Sequence, residues 1–178
     1  MNTEKIFTCI IKTPLGEIRA ATNEKALCGL WFIGQKYFPA SSNGWIVNNR
    51  HPVFISLDSW LKEYFDGKKP KIKIPLSLTG SDFRQAVWKR LLEIPYGKTT
   101  TYGEIAAQLI AAGKKASAQA VGGAVGHNPI SILVPCHRVL GANGSLTGYA
   151  GGLERKQALL ELEGITGFLP GVLRQPDL

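Results

Sequence analysis

Cys136, His137 and Arg138 stand side by side behind Pro135 and the short apolar run Ile132-Leu133-Val134. A thiol that follows an apolar run and adjoins two potential cations has surroundings that lower its pKa and favour the nucleophilic thiolate. Cys9 and Cys28 lack such neighbours and read as buried, inert thiols. Adjacency alone makes no proton-transfer dyad, because successive side chains on an extended chain point to opposite sides. Moving a proton from Cys136 to His137 calls for a bent backbone or a bridging water. A cysteine protease is built differently, with its histidine far along the sequence.

A second clue is a carboxylate in an unfavourable place. Leu153, Ala158, Leu159, Leu160 and Leu162 outline a final helix closed by Gly164, so Glu163 falls at the C-terminus, where the macrodipole disfavours negative charge. It should have a compensating partner. A histidine is one natural candidate, and a solvated glutamate is the plainer alternative. With His137 the result is a Cys-(water)-His-Glu relay, in which the carboxylate orients the imidazole and stabilises its charged form. Between cysteine and helix, Gly141, Gly144, Gly148, Gly151 and Gly152 make a loop where a ligand can lie against backbone. Gly97-Lys98-Thr99 is no phosphate-binding P-loop, since Leu92 stands where the motif needs its first glycine.

The elements that must hold these groups divide near Leu78 to Ser81. Before that point, stretches 6–12, 18–21 and 26–33 read as strands of a small antiparallel sheet, with Pro14-Leu15-Gly16 as a turn. Val53, Leu57, Trp60, Leu61, Tyr64 and Phe65 recur at helical spacing until Gly67, and residues 71–78 alternate like a half-buried edge strand. After it, Asp82 is read as an N-cap for a helix with Phe83, Val87 and Leu91 on its apolar stripe, and Thr101 with Glu104 forms a capping box for the next. A third helix starts behind Ser117. Ala118-Gln119-Ala120-Val121-Gly122-Gly123-Ala124-Val125 has almost nothing large on any face, and each glycine costs about 1 kcal/mol of helix propensity relative to alanine. Something must offset that cost.

The two helices around 112–117 suggest a helix-turn-helix, a plain helical hairpin being the commoner alternative. Major-groove readout wants side chains that reach base edges, and only Gln119 qualifies, so a sequence-specific regulator is disfavoured. Small residues instead permit close backbone approach, to a neighbouring protein segment or to a narrow DNA groove read by shape, and both stay open at this level. The fold class is α/β (α+β), with units at 1–78 and 79–178.

Composition bounds the rest. With 178 residues, 44% apolar and 19% charged, the chain can bury a real core, and no apolar run approaches the roughly 20 residues of a membrane span. The N-terminus lacks a secretory pattern, and three cysteines form neither a CxxC pair nor an even framework, so cytoplasmic residence and free thiols are expected. A net charge of +8, spread over both halves rather than held in a tail, favours polyanionic partners.

Residues 82–164 resemble the O6-alkylguanine-DNA alkyltransferases (methylated-DNA–protein-cysteine methyltransferases). The resemblance is carried by Tyr102 and the helix after it, Asn128-Pro129, Val134-Pro135-Cys136-His137-Arg138-Val139, Gly148-Tyr149-Ala150-Gly151-Gly152 and Leu162-Glu163-Gly164. More loosely, Thr13-Pro14-Leu15-Gly16 and the helix ending at Phe65 resemble the family's RNase H-like lobe. The resemblance implies a helix-turn-helix bound in the minor groove of double-stranded DNA, O6-alkylguanine flipped from the duplex, and irreversible, single-turnover transfer of its alkyl group to Cys136. O4-alkylthymine is a second candidate lesion, and a monomer without cofactor or metal is implied.

By the same resemblance, His137, Glu163 and Asn128 join Cys136 as catalytic residues, Asn128 bracing the turn that presents the thiol. Tyr102, Val139, Tyr149, Ala150 and Gly151 would bind the substrate. Tyr102 would donate to N3 of the base, the Ala150 N–H would hold O6, and the carbonyls of Cys136 and Val139 would accept from the exocyclic amine. Ala118, Gln119, Ala120, Gly122 and Arg138 would contact DNA. Relatives usually carry an arginine where Gln119 stands, and glutamine brings no charge and stacks poorly, so a weaker grip on the duplex with retained chemistry is expected. The family's optional zinc site is not expected, because Cys9 and Cys28 have no convincing histidine beside them. Three other readings compete: a sensor of alkylated guanine that transfers nothing and recruits repair proteins, a cysteine hydrolase, and a DNA-sequence regulator.

Overall fold

The computed structural model describes residues 4–168. Three strands, β1 (Phe7–Thr13), β2 (Gly16–Thr22) and β3 (Leu27–Phe32), form an antiparallel meander. Gly16, at φ +114°, makes the two-residue hairpin possible. A short fourth strand, β4 (Ile46–Val47), lies parallel to β1, so the order is β3-β2-β1-β4 and the sheet is mixed rather than purely antiparallel. Helix α1 (Pro52–Phe65) begins with His51 accepting from the Val53 N–H and proline in its first turn, and it buries Phe54, Leu57, Trp60, Leu61 and Tyr64.

The expected edge strand at 71–78 does not form. Only Leu76 pairs, in a single bridge to Leu27 made by Leu27 N–H to Pro75 O (2.8 Å) and Ser77 N–H to Leu27 O (2.8 Å). Pro75 has no N–H to give, and Lys71, Ile72 and Lys73 stay exposed, so the alternation has no neighbour to zip against. The edge of β3 is used otherwise. Leu30 N–H donates to Pro129 O (2.8 Å) and Ser131 N–H to Leu30 O (2.9 Å), which pins the segment leading to Cys136 onto the sheet.

The remaining helices are α2 (Asp82–Leu92), α3 (Tyr102–Ala111), α4 (Ala118–Gly126) and α5 (Leu153–Leu162). Ser81, not Asp82, caps α2 by accepting from Arg84 N–H, and Asp82 occupies the first turn, where its charge suits the macrodipole. The capping box of Thr101 and Glu104 and the cap at Ser117 form as expected. Two strands of two residues each, β5 (Thr100–Thr101) and β6 (Val139–Leu140), pair in parallel and join the start of α3 to the chain just after the cysteine. One apolar core runs through sheet, α1, α2, α3 and α4 and includes Val134 and Cys136. Among the described residues no helix is long and apolar enough to cross a membrane.

Helix α4 is held on α2 by its buried face, Val121, Ala124 and Val125, and by Trp88 Nε1 donating to Ala124 O at 2.8 Å. Its glycines are not demanded by that packing. A methyl group at Gly123 would meet nothing within 4 Å, and one at Gly122 would meet only the Tyr102 ring at ordinary contact distance, 3.8 Å. The helix thus carries an avoidable propensity cost. Gly123→Ala is expected to raise the unfolding free energy by about 0.5–1 kcal/mol, measured by urea denaturation; a loss of stability would show a constraint that the fold does not contain.

Candidate active site

Pro135 ends the buried run and Cys136–Arg138 form one turn of 3-10 helix, the bent backbone that a Cys-His pair requires. The run is a tight turn rather than a strand. Ile132 sits at φ +70°, a conformation that costs a β-branched residue on the order of 1–3 kcal/mol and survives only where the surroundings over-determine it. Asn128 supplies part of that. Its Nδ2 donates to Val134 O (2.8 Å) and its Oδ1 accepts from Ile130 N–H (3.0 Å), which stitches the turn from within.

Glu163, the C-cap of α5, is 6% exposed and accepts five hydrogen bonds. Oε1 takes Tyr64 Oη–H (2.7 Å), His137 Nε2 (2.7 Å) and Arg138 Nη2 (2.9 Å); Oε2 takes Arg138 Nε (2.8 Å) and the Gly97 N–H (3.2 Å). Burial works to raise this carboxyl, but the hydrogen bonds and charges of His137 and Arg138 hold it down at about 2. A carboxylate can only accept, so Nε2 of His137 must carry a proton. Burial also pushes the His137 pKa down, against the pull of Glu163, so the ring is neutral near pH 7 and Nδ1 bears the lone pair. Nδ1 is buried and has no hydrogen-bond partner in the protein.

The thiol corrects a sequence expectation. Burial raises the pKa of Cys136, opposed by the Asn128 amide, the Lys156 charge and nearby backbone N–H groups. The two neighbours expected to lower it do not, because His137 is neutral and the Arg138 guanidinium is committed to Glu163 and to Ile94 O. The resting group is therefore a protonated thiol that needs a base.

Cys136 lines a cavity of about 290 Å³ with Tyr102, Gly122 of α4, Tyr149 and Ala150. Lys36 and Tyr37, behind β3, line it as well, and no local sequence signal had marked them. Burial, then the nearby cysteine, push the Tyr102 hydroxyl up to about 12, so it is a donor; it donates to Thr147 O (3.2 Å) and Gly148 O (3.4 Å). A larger groove runs between α1 and residues 70–75, and Cys136 does not line it.

Several expected site residues fall elsewhere. Val139 is fully buried outside the cavity, and its carbonyl accepts from Lys156 Nζ (2.5 Å). Gly151 makes room instead of contact, since a methyl there would come within 2.8 Å of the Tyr149 ring and 3.0 Å of Phe32. Arg138 belongs to the relay and not to an outer surface. Ala118, Gln119 and Ala120 are exposed on the first turn of α4.

Lys156 was missed. It is fully buried on α5, with Nζ on Val139 O, Thr147 O (2.8 Å) and Gly148 O (3.1 Å), and burial lowers its pKa to about 8 while Cys136 works the other way. The signal was present: Lys156 follows Leu153 by three and precedes Leu160 by four, the apolar stripe that Glu163 continues. Among the described residues no group of three or more His, Cys, Asp or Glu is placed to hold a metal ion.

Two family models match the chain: the ribonuclease-like domain of 6-O-methylguanine DNA methyltransferase over residues 6–78 and its DNA binding domain over 82–165. A methylated-DNA–protein-cysteine methyltransferase of Mycolicibacterium paratuberculosis is 48% identical over 153 residues, 86% of this chain and 89% of that one. One from Methanosarcina barkeri is 46% identical over 154 residues, covering 86% and 94%. Among solved structures, Mycobacterium tuberculosis OGT in complex with DNA aligns at TM-score 0.77 with 46% identity over 89% of this chain and 92% of that one.

The relay has an acid signature. Relative to its ordinary value of 4.5, the Glu163 carboxyl at about 2 contributes stability that is complete above pH 4.5 and lost as pH falls toward 2, roughly 3 kcal/mol in all. His137, held below its ordinary 6.5, adds a loss of the same sign that starts as pH drops through 6.5. Urea unfolding between pH 7 and 2.5 should show Glu163→Gln with a lower plateau and a flattened limb below pH 4.5. Equal slopes in the variant and the parent chain would contradict this placement of the charge.

Proposed function

The chain belongs to the 6-O-methylguanine DNA methyltransferase family, and from that premise we propose that it repairs double-stranded DNA by extruding O6-alkylguanine and moving the alkyl group irreversibly to Cys136. The observation that carries the reading is a buried thiol lining a cavity, adjacent to a neutral imidazole whose Nδ1 is left bare because Glu163 holds the Nε2–H.

In this mechanism Nδ1 of His137 takes the Cys136 proton through a water. Glu163 needs no proton of its own: it holds Nε2–H and stabilises the imidazolium that forms. The Lys156 ammonium stabilises the new thiolate. Sγ attacks the alkyl carbon in line, the S–C bond forms as the C–O bond breaks, and the electron pair moves onto the guanine. The base leaves as an anion that takes one proton from water, and His137 gives the thiol proton back to water, so protons balance over the turnover. Tyr102, turning its hydroxyl from the 147–148 carbonyls to N3, donates as that charge develops, and the Ala150 N–H supports O6. A thioether does not hydrolyse under these conditions, so each molecule acts once.

The exposed first turn of α4, with Ala118, Gln119 and Ala120, supplies the approach to the minor groove, and Gly122 and Gly123 let backbone come close to it. This accounts for glycines that the folded protein does not itself require. Residues 1–78 and 79–178 act as a supporting lobe and a DNA-binding lobe in a monomer, and the relay crosses between them through Tyr64.

Intact and peptide mass spectrometry after mixing the protein with a duplex containing O6-methylguanine tests the reading, with Cys136→Ser in parallel. One methyl group per molecule, mapped to the Cys136 peptide and absent from the variant, is the expected result. Selective lesion binding without methyl gain would convert the protein into a sensor of alkylated guanine. A duplex containing O4-methylthymine in the same assay reads the second candidate lesion.

A further inference from the structure

Behind β3 the chain turns away from the sheet at Gly34 (φ +80°) and crosses to the site. Gln35 is buried. Its Oε1 accepts from Phe32 N–H (2.8 Å) and lies 3.5 Å from Ser131 Oγ, in the turn that leads to Cys136. Lys36 N–H donates to Ala150 O at 3.0 Å, tying the next residue to the glycine-rich loop on the other side of the cysteine. Residues 35 and 36 therefore reach both segments that frame the thiol.

Tyr37 completes the crossing. It holds φ +60°, a left-handed conformation uncommon for a residue with a large side chain, which its anchored neighbours impose. Its ring stacks on the His127 imidazole with centroids 3.8 Å apart and planes 26° from parallel. His127 is itself fixed as the C-cap of α4, with Nδ1 at 2.7 Å from Gly123 O. The Tyr37 ring also lies along the last turn of α4, 3.6 Å from where a methyl at Gly126 would sit. Tyr37 is 49% exposed yet lines the same cavity as Cys136, which places it at the mouth. Neither Tyr37 nor His127 has a part in the transfer chemistry derived above.

We propose that Tyr37, braced by His127, is a specificity-determining residue for the transfer: it forms the wall that limits the size of the O6 substituent entering the cavity. The inference rests on the alkyl-transfer reading of the same cavity and adds its selectivity. Tyr37 lines the cavity together with Cys136 and lies at its mouth, so a substituent larger than methyl that runs from the thiol toward the mouth competes with the Tyr37 ring for space. Because the ring comes from the N-terminal lobe, that lobe sets selectivity as well as supporting the fold.

Single-turnover transfer rates from duplexes containing O6-methylguanine and O6-benzylguanine, measured for the parent chain, Tyr37→Phe, Tyr37→Ala and His127→Ala, test the proposal. Tyr37→Ala should raise the benzyl-to-methyl rate ratio about tenfold, the scale on which pocket walls discriminate. Tyr37→Phe, which keeps the stacked ring, should leave the ratio within about twofold, and His127→Ala, which frees the ring, should move it in the same direction as Tyr37→Ala. An unchanged ratio in Tyr37→Ala with methyl transfer intact overturns the selectivity role alone. Loss of methyl transfer in Tyr37→Ala also overturns it, by making the residue part of the machinery. Absence of methyl transfer in the parent chain overturns the alkyl-transfer reading beneath it.

Discussion

Burying a full negative charge costs several kcal/mol unless donors replace the water it loses, and Glu163 is the place where this fold meets that demand. Its position adds a second difficulty, since the C-terminus of α5 presents carbonyls to a group that already repels them. Five hydrogen bonds from three separate segments answer both: Tyr64 from α1, Gly97 from the turn after α2, and His137 with Arg138 from the 3-10 turn. Each donor fixes the place of the segment that bears it. The carboxylate thus orients the imidazole and docks the helix of one lobe on the active turn of the other.

The chemistry depends on the same atoms. Burial leaves Cys136 protonated, so the proposed transfer draws on a base at hand instead of a resting thiolate. Burial leaves His137 neutral, and the carboxylate decides which ring nitrogen is bare. Arg138 balances Glu163, so the relay carries no excess charge that would protonate the imidazole at rest. Tyr102 and Lys156 meet on the carbonyls of Thr147 and Gly148 and hold the loop that forms one wall of the cavity. The docking of the two lobes and the proposed chemistry therefore draw on the same hydrogen bonds of Glu163.

What was legible in the sequence was local. The capping box of Thr101 and Glu104 and the cap at Ser117 depend on spacings of three residues, and the misfit of Glu163 is visible from one helix and its terminal glycine. What was not legible was pairing at a distance. Strands β4, β5 and β6 have two residues each, too short for any period, and Tyr64 reaches Glu163 from the other lobe. The alternation at 71–78 was genuine but found no partner beyond Leu76. Neighbouring cations suggested an acidic thiol, because adjacency reveals charges and conceals both burial and the partner that uses them. Lys156 was hidden by its type: a lysine on an apolar stripe reads as an outlier until its three carbonyl acceptors are known.

The central claim is that Glu163 keeps His137 as a neutral ring with the proton on Nε2 and the lone pair on Nδ1. Imidazole 15N NMR at pH 7 reads this directly, with the His137 signals assigned by their loss in His137→Gln and compared in Glu163→Gln. The account predicts a protonated Nε2 and an unprotonated Nδ1 in the parent chain, and a mixture of tautomers once the carboxylate is gone. A proton on Nδ1, or an imidazolium at pH 7, would leave Cys136 without its base and contradict the account.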